Sequence, residues 1–337
     1  MAVDSSIIEA VPISRAIAQR HPAANILRTV LFRIGSAIFV LWGAVTITFI
    51  VLTILPGDRA TILLNITSGQ TIARTLEELA PINAMYGFDQ PILTQYIHYV
   101  GALLQGDLGT SFELQRSVAN IIGEQIAPTF TLAASALLLA WIFAVPWTLF
   151  TAGRGRRIGA FGSATETIMA GLPQYWIGIL LLIIFAIGLR WFPVIGGTSF
   201  MNTVLPTVTL AIPLAGFLGQ SIRSEFDRTM REPFVLSARA RGMSGAGVRA
   251  RHVLRHALIP GITLSGWAIG HLLSGTVLVE TVFARPGLGA ILVNAVSNKD
   301  FALVSGCVIL NSFLYVVINL VLDTIYLVVD PRLRGAA

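Results

Sequence analysis

The sequence has little charge, a single cysteine and a single lysine, and each shortage excludes a class of protein. Of 337 residues only 12% are charged, and the mean hydropathy is +0.77. Soluble domains carry about a quarter charged residues, so the chain is predicted to be a membrane protein with several spans. The one cysteine, Cys307, excludes a disulfide or a cysteine-based zinc site within the chain.

The shortage of lysine also limits the chemistry that the chain can perform. A phosphate-binding P-loop needs Gly-Lys-Ser/Thr, whereas the only lysine lies in Ser297-Asn298-Lys299-Asp300. The Gly-x-Ser-x-Gly and His-Glu-x-x-His patterns are absent as well. We therefore expect no catalytic residue, no metal site and no cofactor in this chain. Any ATP hydrolysis coupled to it would belong to a partner.

Long apolar runs predict six membrane-spanning helices, each near or above the roughly 20 residues that a bilayer requires. The first run starts too late, and is too long, for a cleaved secretory signal. Proline is expected to bend the second span, to kink the third at Gly171-Leu172-Pro173, and to interrupt the fourth at Pro206 and Pro213. The predicted spans are residues 30–55, 127–152, 165–189, 203–222, 258–283 and 301–329.

The distribution of arginine predicts the orientation of these spans. Residues 223–257 hold eight arginines and three acids, and Arg154-Gly155-Arg156-Arg157 forms a second basic loop. Basic loops face the cytoplasm, so residues 1–29 and 331–337 are predicted to be cytoplasmic too. Residues 56–125 hold seven acids against three arginines and are predicted to form a small, mainly helical external insertion. Residues 126–330 then form the core, and the net charge of +6 gives no reason to expect nucleic acid.

The basic segment 223–257 has its own helix signals. Pro233 suits the first turn of a helix, and Gly242 can adopt the left-handed conformation that closes one. Ser244 can cap the next helix. The pattern predicts two short helices hinged at Gly242, the second returning to the membrane at Pro260.

Several motifs resemble binding-protein-dependent ABC importer permeases of the oligopeptide, dipeptide and nickel branch. Ala238-Arg239-Ala240-Arg241-Gly242 and the run from His252 to Pro260 resemble the cytoplasmic coupling loop of that family, although its Glu-Ala-Ala positions read Leu236-Ser237-Ala238. The resemblance covers residues 30–334 and is weakest in residues 60–100. Its other specific pieces are Pro56-Gly57-Asp58, Glu280-Thr281-Val282-Phe283, Pro286-Gly287-Leu288-Gly289, Asp323-Thr324-Ile325-Tyr326 and Asp330-Pro331-Arg332.

The resemblance implies an all-α membrane protein with the type I ABC importer permease fold, located in the bacterial inner membrane. It implies a permease subunit that takes up short peptides or a related small solute. The implied partners are a second homologous permease subunit, two ATP-binding subunits that hold ATP and Mg²⁺, a binding protein outside the membrane, and lipid. The residues that it implies for coupling to the ATPase are Phe234, Leu236, Ser237, Ala238, Arg239, Ala240, Arg241, Gly242 and Met243.

Polar residues inside the spans are candidates for a substrate path, because polar groups at bilayer depth are costly and usually face protein or water. A structural hydrogen bond is the competing interpretation for each of them. A metal-binding role for His271 is disfavoured, since the other histidines lie in other compartments. Glu280 and Asp323 lie near span ends, where anchoring is the expected role. The candidates for the path are Gln174, Gln220, His271, Ser274 and Asn311.

Other functions remain open from the sequence. An ion-coupled secondary transporter would place acids in mid-span, and here most acids lie near span ends. A metal chelate such as a nickel complex is an alternative solute for the same branch. A membrane-bound scaffold or enzyme is a third possibility. The basic central loop could also meet lipid headgroups instead of a partner, but its apolar residues Phe234, Val235, Leu236 and Ala238 favour docking of a soluble partner.

Overall fold

A computed structural model describes residues 22–54, 58–70 and 72–329, and this part of the chain is helical, with no strand and one isolated β-bridge between Thr110 and Ser117. Residues 1–21, residues 55–57 with Pro56 and Gly57 of the Pro56-Gly57-Asp58 motif, residue 71 and the tail from residue 330 lie outside it, as does the side chain of Asp323. The helices are α1 (Pro22–Ile54), α2 (Arg59–Ser68), α3 (Leu76–Tyr86), α4 (Ile92–Leu104), α5 (Val118–Thr151), α6 (Arg156–Gly171), α7 (Gln174–Leu181, continued by a π-helical segment Leu182–Gly188), α8 (Phe200–Thr229), α9 (Pro233–Ala240), α10 (Gly245–Gly247, continued by a π-helical segment Val248–Val253), α11 (Leu254–Val282), α12 (Leu288–Ser297) and α13 (Phe301–Val329).

The described residues contain five helices long and apolar enough to cross a membrane, and a sixth if one bent pair is a single span. That pair is α6 and α7, which meet at 94°. The number of spans therefore agrees with the six predicted from the sequence. The straight spans are Leu31–Val51, Val118–Thr151, Phe200–Thr229, Gly245–Val282 and Phe301–Val321.

The prolines act differently from the sequence prediction. At Leu172-Pro173 the chain is extended, with φ −76° and ψ 130° at Leu172, so the expected kink is a complete break. Pro206 and Pro213, in contrast, lie inside the uninterrupted helix α8. The prediction of an interrupted fourth span is wrong, because the fixed φ of proline fits a helix and the packed neighbours hold α8 together.

The core is centred on α8, which packs against α5, α6 and α11. Leu210, Leu218 and Ile222 of α8 have no exposed surface. Small residues let the helices approach closely: Gly216 of α8 lies directly against the backbone of α6 at Ala170, so even a methyl group would clash there. Helix α5 contributes the buried alanines Ala133, Ala136, Ala140 and Ala144, spaced three or four residues apart.

Two ends of the helical bundle are distinguished by their connections. We call the end with residues 152–155 and α9 the α9 end, and the end with residues 105–117 and α12 the far end. At the far end α5 begins at Val118, earlier than the predicted residue 127, because Val118, Ile121 and Ile122 are buried in a second core beneath α12 and α13.

The insertion after α1 contains the short helices α2 to α4. Helix α3 begins with a capping box, and the hydrogen bond from the Thr75 backbone N–H lowers the pKa of the Glu78 carboxyl. The buried carboxylate of Asp300 accepts hydrogen bonds from Ser111 and from the backbone N–H groups of Glu113 and Leu303. Asp300 therefore fastens the turn at residues 110–117 to the start of α13.

Candidate functional site

The segment between α8 and α11 has the local conformation that its sequence predicts. Pro233 is the first residue of α9, and Gly242 has φ +84°, in the left-handed region. The backbone N–H of Met243 donates to the Ala238 carbonyl at 3.2 Å, which closes α9. The Ser244 hydroxyl accepts from the Gly247 N–H at 3.2 Å and caps the next helix. The short helix α9 thus lies at the α9 end of the bundle and is terminated by a glycine in the left-handed conformation.

The second helix differs from the prediction. It is not a separate short helix, because Gly245–Val282 is one helical rod of 38 residues with a π-helical turn at Val248–Val253. Pro260 lies inside this rod and does not begin a new helix. The rod is continuous because Val248, Val253 and Ala257 are all buried in the main core, so packing carries the helix through the turn. The loop after α9 therefore leads directly into one long continuous helix.

The apolar residues of α9 divide between two faces. Val235 and Ala238, three residues apart on one helical face, are 2% and 1% exposed and pack into the main core. Met243 also packs against this core. Ala238 therefore faces away from any partner in this conformation and, with Val235, seats α9 on its own chain, whereas the partly buried Met243 stays a predicted coupling residue. The coupling candidates left at the surface are Phe234, Leu236, Ser237, Arg239, Ala240, Arg241 and Gly242.

The outward face of α9 is apolar at its centre and basic at its end. Leu236 is 73% exposed, and the ring of Phe234 contacts the ring of His256 with centroids 5.4 Å apart. Beside this ring lies a cleft of about 460 Å³ whose wall includes Glu225, Arg228 and Glu232. The outward face therefore presents one exposed leucine among charged groups.

A buried ion pair lies at the α9 end of the bundle, where α5, α6 and α8 meet. The Arg223 guanidinium of α8 donates to both oxygens of Glu166 on α6, at 2.6 and 2.8 Å, and also to the Thr151 hydroxyl of α5. The Thr148 hydroxyl donates to the same carboxylate at 3.4 Å. The two charged side chains are 8% and 2% exposed. Three helices are joined here through side chains alone.

The sequence contained a signal for this pair that our sequence analysis missed. Glu166 is the only acid between Glu124 and Glu225, and it lies in an apolar run where a carboxylate is costly. A carboxylate in such a run is expected to have a buried partner. That partner is Arg223, which the sequence analysis had assigned to the central loop. Gly162 and Gly219 pack directly against this pair, so larger residues at these positions would displace it.

Three of the five path candidates lie together, between α11 and α13. His271 stacks on the Trp267 ring with centroids 4.9 Å apart and lines a cleft of about 170 Å³. Ser274 lines this cleft and a neighbouring one of about 360 Å³ that contains Asn311. Tyr315 lines both clefts. Neither Tyr315 nor Trp267 was among the candidates predicted from the sequence. We call His271, Ser274, Asn311, Trp267 and Tyr315 the polar stripe.

The other two candidates lie elsewhere. The side chain of Gln174, the first residue of α7, packs against Gly275 on a different face of α11. Gln220 is partly buried on α8 and does not line either cleft of the polar stripe. Across the described ranges no cluster of three or more His, Cys, Asp or Glu side chains could hold a metal ion.

The far end has its own buried carboxylate. Glu280 accepts hydrogen bonds from the backbone N–H groups of Gly289 and Ala290, at 2.7 and 3.2 Å, and from the Thr129 hydroxyl at 2.6 Å. Glu280 thus anchors the first turn of α12, as expected for an acid near a span end. Arg285 donates to the Gly197 carbonyl at 3.0 Å, and burial lowers the pKa of its guanidinium.

Comparison with protein families identifies relatives across almost the whole chain. The family model described as binding-protein-dependent transport system inner membrane component matches residues 136–335, and its N-terminal companion matches residues 26–133. The glutathione transport system permease protein GsiC of Salmonella typhimurium is 33% identical over 310 residues, which cover 91% of this chain and 99% of the relative. GsiC of Escherichia coli K12 is 31% identical over 309 residues, covering 91% and 99%.

Among solved structures, the chain resembles the inward-facing MetNI methionine ABC transporter. The TM-score is 0.52 at 15% sequence identity, and the match covers 62% of this chain and 96% of the other. At this identity the likeness shows the fold alone. The shared fold is an all-helical membrane bundle of the type I importer class.

Proposed function

Because the chain belongs to the family of binding-protein-dependent transport system inner membrane components and is the permease component of an ABC importer, we propose that its solute is a short peptide or a peptide-like molecule such as glutathione. The observation that carries this proposal is the 33% identity to a glutathione permease over 91% of the chain. The two family matches, residues 26–133 and 136–335, extend over the insertion after α1 and over the segments that form both clefts. A metal chelate is the competing solute.

The polar stripe supports a path at an interface with a second permease subunit. His271 and Ser274 are exposed on a helix that crosses the membrane, and polar side chains avoid lipid. Trp267 and Tyr315 add aromatic surface, 50% and 56% exposed, to the same stripe. A second permease copy covering this side would enclose the stripe and let it contact the solute.

The outward face of α9 supports docking of an ATPase subunit. Leu236 supplies an exposed apolar centre, and Arg239 and Arg241 supply a basic rim. Because Val235 and Ala238 seat α9 in the main core, to which α8 and the rod also contribute, a force on the outer face of α9 would be transmitted to these helices. In this arrangement the α9 end and both termini are cytoplasmic, and a binding protein delivers the solute to the far end.

Uptake assays distinguish the candidate solutes. Cells that lack their own peptide importers, and that express this chain with its partner subunits, should accumulate a radiolabelled dipeptide or glutathione. Unlabelled peptide should compete, and a nickel–histidine complex should not. If the cells take up the nickel complex but no peptide, and unlabelled peptide does not compete with it, the solute is a metal chelate and the peptide assignment is wrong.

Docking by α9 is tested with a matched pair of aspartate variants. Leu236→Asp places a charge at the centre of the proposed contact and should release the ATPase subunits on purification. Leu104→Asp is the control, because Leu104 is 84% exposed on α4, away from α9. Equal retention of the ATPase by both variants would remove α9 from the docking surface.

The orientation is tested by cysteine labelling. With Cys307 replaced, a cysteine at Gln90 should react with an impermeant thiol reagent in intact cells. A cysteine at Ala246, beside the cap of α10, should react only after the membrane is opened. The reverse pattern would invert the proposed orientation.

A further inference from the structure

A cleft at the far end of the bundle belongs to none of the sites described above. It has a volume of about 290 Å³, lies between α1, α4, the turn at residues 105–117 and the start of α13, and shares no lining residue with the polar stripe. Small-molecule sites begin at about 300 Å³, so the cleft has the size for one amino-acid unit of a ligand. Six aromatic residues from separate segments line it: Phe49, Tyr86, Phe88, Tyr99, Phe112 and Phe301.

Hydrogen bonds between distant segments hold the walls of this cleft in place. The hydroxyl groups of Tyr99 on α4 and Ser305 on α13 are hydrogen-bonded to each other. The side-chain amide of Gln95 donates to the Phe88 carbonyl at 3.1 Å and fixes the loop between α3 and α4. The neighbouring turn is fastened to α13 by Asp300. The cleft is therefore preformed, and little conformational entropy is lost when a ligand enters it.

The aromatic rings at the mouth of the cleft form one connected group. Tyr86 stacks on Phe88 with ring centroids 5.6 Å apart, and it meets Phe112 edge-on with centroids 5.8 Å apart. Tyr86 is 45% exposed, so a ligand can reach this group from solvent. An aromatic or aliphatic side chain would bury apolar surface against these rings.

The charge of the cleft favours a cation. Asp107 lines the cleft and is exposed, and its Oδ1 atom accepts the Gly109 backbone N–H at 2.8 Å. No ion pair joins Asp107 to a cation within residues 22–54, 58–70 and 72–329. No lysine or arginine lines the cleft, and His98 is the one lining residue that can become positively charged. Aromatic faces also attract ammonium groups, so a ligand with an ammonium group beside an apolar side chain matches both features.

We propose that this cleft binds the amino terminus of a peptide whose first residue is aromatic or aliphatic. The ammonium group would donate to the Asp107 carboxylate, and the side chain of the first residue would pack on the rings of Tyr86, Phe88 and Phe112. This site rests on the peptide solute proposed above. In the proposed orientation the far end faces outside, where the solute arrives.

Binding is measured by calorimetric titration of the full-length chain, purified with its partner subunits in lipid nanodiscs and without the binding protein. The probe is the dipeptide phenylalanylalanine. Acetylation of its amine should weaken binding about tenfold, because the charge-assisted hydrogen bond to Asp107 is lost. Glycylalanine should also bind about tenfold more weakly, because it has no side chain to bury. Equal binding of the acetylated dipeptide would overturn the proposal, since the cleft would then accept apolar groups whatever their charge.

A matched pair of variants tests the carboxylate. Asp107→Asn should weaken binding of phenylalanylalanine about tenfold and leave binding of its acetylated form unchanged, because the variant and the acetylation remove the same contact. The asparagine oxygen can still accept the Gly109 N–H, so the turn keeps its shape. Asp89→Asn is the control, because Asp89 is an exposed acid of the same insertion that does not line the cleft. Equal losses in the two variants would overturn the site in favour of diffuse attraction by acids.

A third variant tests the rings. Tyr86→Leu keeps an apolar side chain at a partly exposed position, and it should weaken binding of phenylalanylalanine about two- to fivefold, as expected for one aromatic contact. Unchanged affinity in this variant would overturn the placement of the ligand side chain on these rings.

Uptake and binding together separate this site from the proposed function. If cells take up the dipeptide but the chain without the binding protein does not bind it, the cleft is not a peptide site and the solute is still a peptide. If the solute is a metal chelate, and the dipeptide nevertheless binds and loses affinity in Asp107→Asn, the site stands and peptide uptake is wrong.

Discussion

Both ends of the bundle bury carboxylates, Glu280 and Asp300 at the far end and Glu166 at the α9 end, and the two ends hold them in different ways. At the far end Glu280 accepts hydrogen bonds from the backbone of α12 and from a hydroxyl. At the α9 end Glu166 accepts hydrogen bonds from the Arg223 side chain of α8 and from the Thr148 hydroxyl of α5, and Arg223 also donates to the Thr151 hydroxyl of α5. Glu280 is thus fixed to the start of one helix, whereas Glu166 joins separate helices.

This difference indicates where the molecule can change shape. Backbone N–H groups at a helix start keep their direction as long as the helix exists. A guanidinium on a long side chain can follow a carboxylate as two helices shift, or release it. We therefore expect the far end to behave as a fixed frame and the α9 end as the adjustable one, which is the end that would receive a push from an ATPase.

The largest effect is expected from breaking the ion pair on one side. Arg223→Met leaves the Glu166 carboxylate buried and unpaired, and should lower the free energy of unfolding by about 3–5 kcal/mol. Denaturation of the purified chain in mixed SDS micelles measures this change. A loss below about 1 kcal/mol would show that the α9 end does not depend on the pair.

The double variant Glu166→Leu with Arg223→Met sharpens the same comparison. Replacing a buried ion pair by apolar residues is often neutral or stabilising, so stability should return to near the parent value. Uptake should stay impaired if the pair adjusts during transport. If the double variant transports like the parent, the ion pair contributes only to packing and does not adjust during transport.

A smaller effect is expected at the far end. Glu280→Gln keeps the size of the side chain but turns an NH₂ group toward one set of donors, and should cost about 1–3 kcal/mol. Because this end is a frame, uptake per folded molecule should be unchanged. Loss of uptake without loss of stability would contradict the assignment of the two ends.

At the left-handed glycine the stability effect is smaller still, and the coupling effect is large. Gly242→Val strains a residue at φ +84° by about 1–2 kcal/mol, although a side chain there would meet open space. The variant should insert and fold, yet lose ATP-driven uptake because α9 is tilted on its seat. Gly245→Val, at a position with open space and no positive φ, is the control.

The smallest stability effect is expected in the polar stripe. His271 is exposed and stacks on one ring, so His271→Leu should change the free energy of unfolding by less than about 0.5 kcal/mol. Uptake should fall because the stripe lines the proposed path. Unchanged uptake kinetics would return His271 to a structural role.

Much of the fold followed from the sequence. Apolar runs and arginine-rich loops predicted six spans, and the described helices agree in number. The complete break at Leu172-Pro173, where a kink was predicted, and the unbroken α8 did not follow, because proline has the same local chemistry in both places. Whether it breaks a helix depends on the packing around it, which the sequence alone does not display.

The candidate site followed only in part. Pro233, Gly242 and Ser244 act locally, through backbone conformation and capping, so their roles could be predicted. The inward turn of Ala238 and the pairing of Glu166 with Arg223 depend on contacts between distant segments. The isolated acid at residue 166 was a readable signal, but its partner lies 57 residues further along the chain.

The unbroken rod has a mechanical consequence. From the π-helical turn at Val248–Val253 the helix α11 extends for 29 residues, a lever arm of about 44 Å. With its pivot at the far end, where Glu280 is fixed to the start of α12, a tilt of about 5° would move the π-helical turn through about 4 Å. A displacement of a few ångströms beside α9 would thus change the tilt of the rod along its whole length while the far end keeps its place.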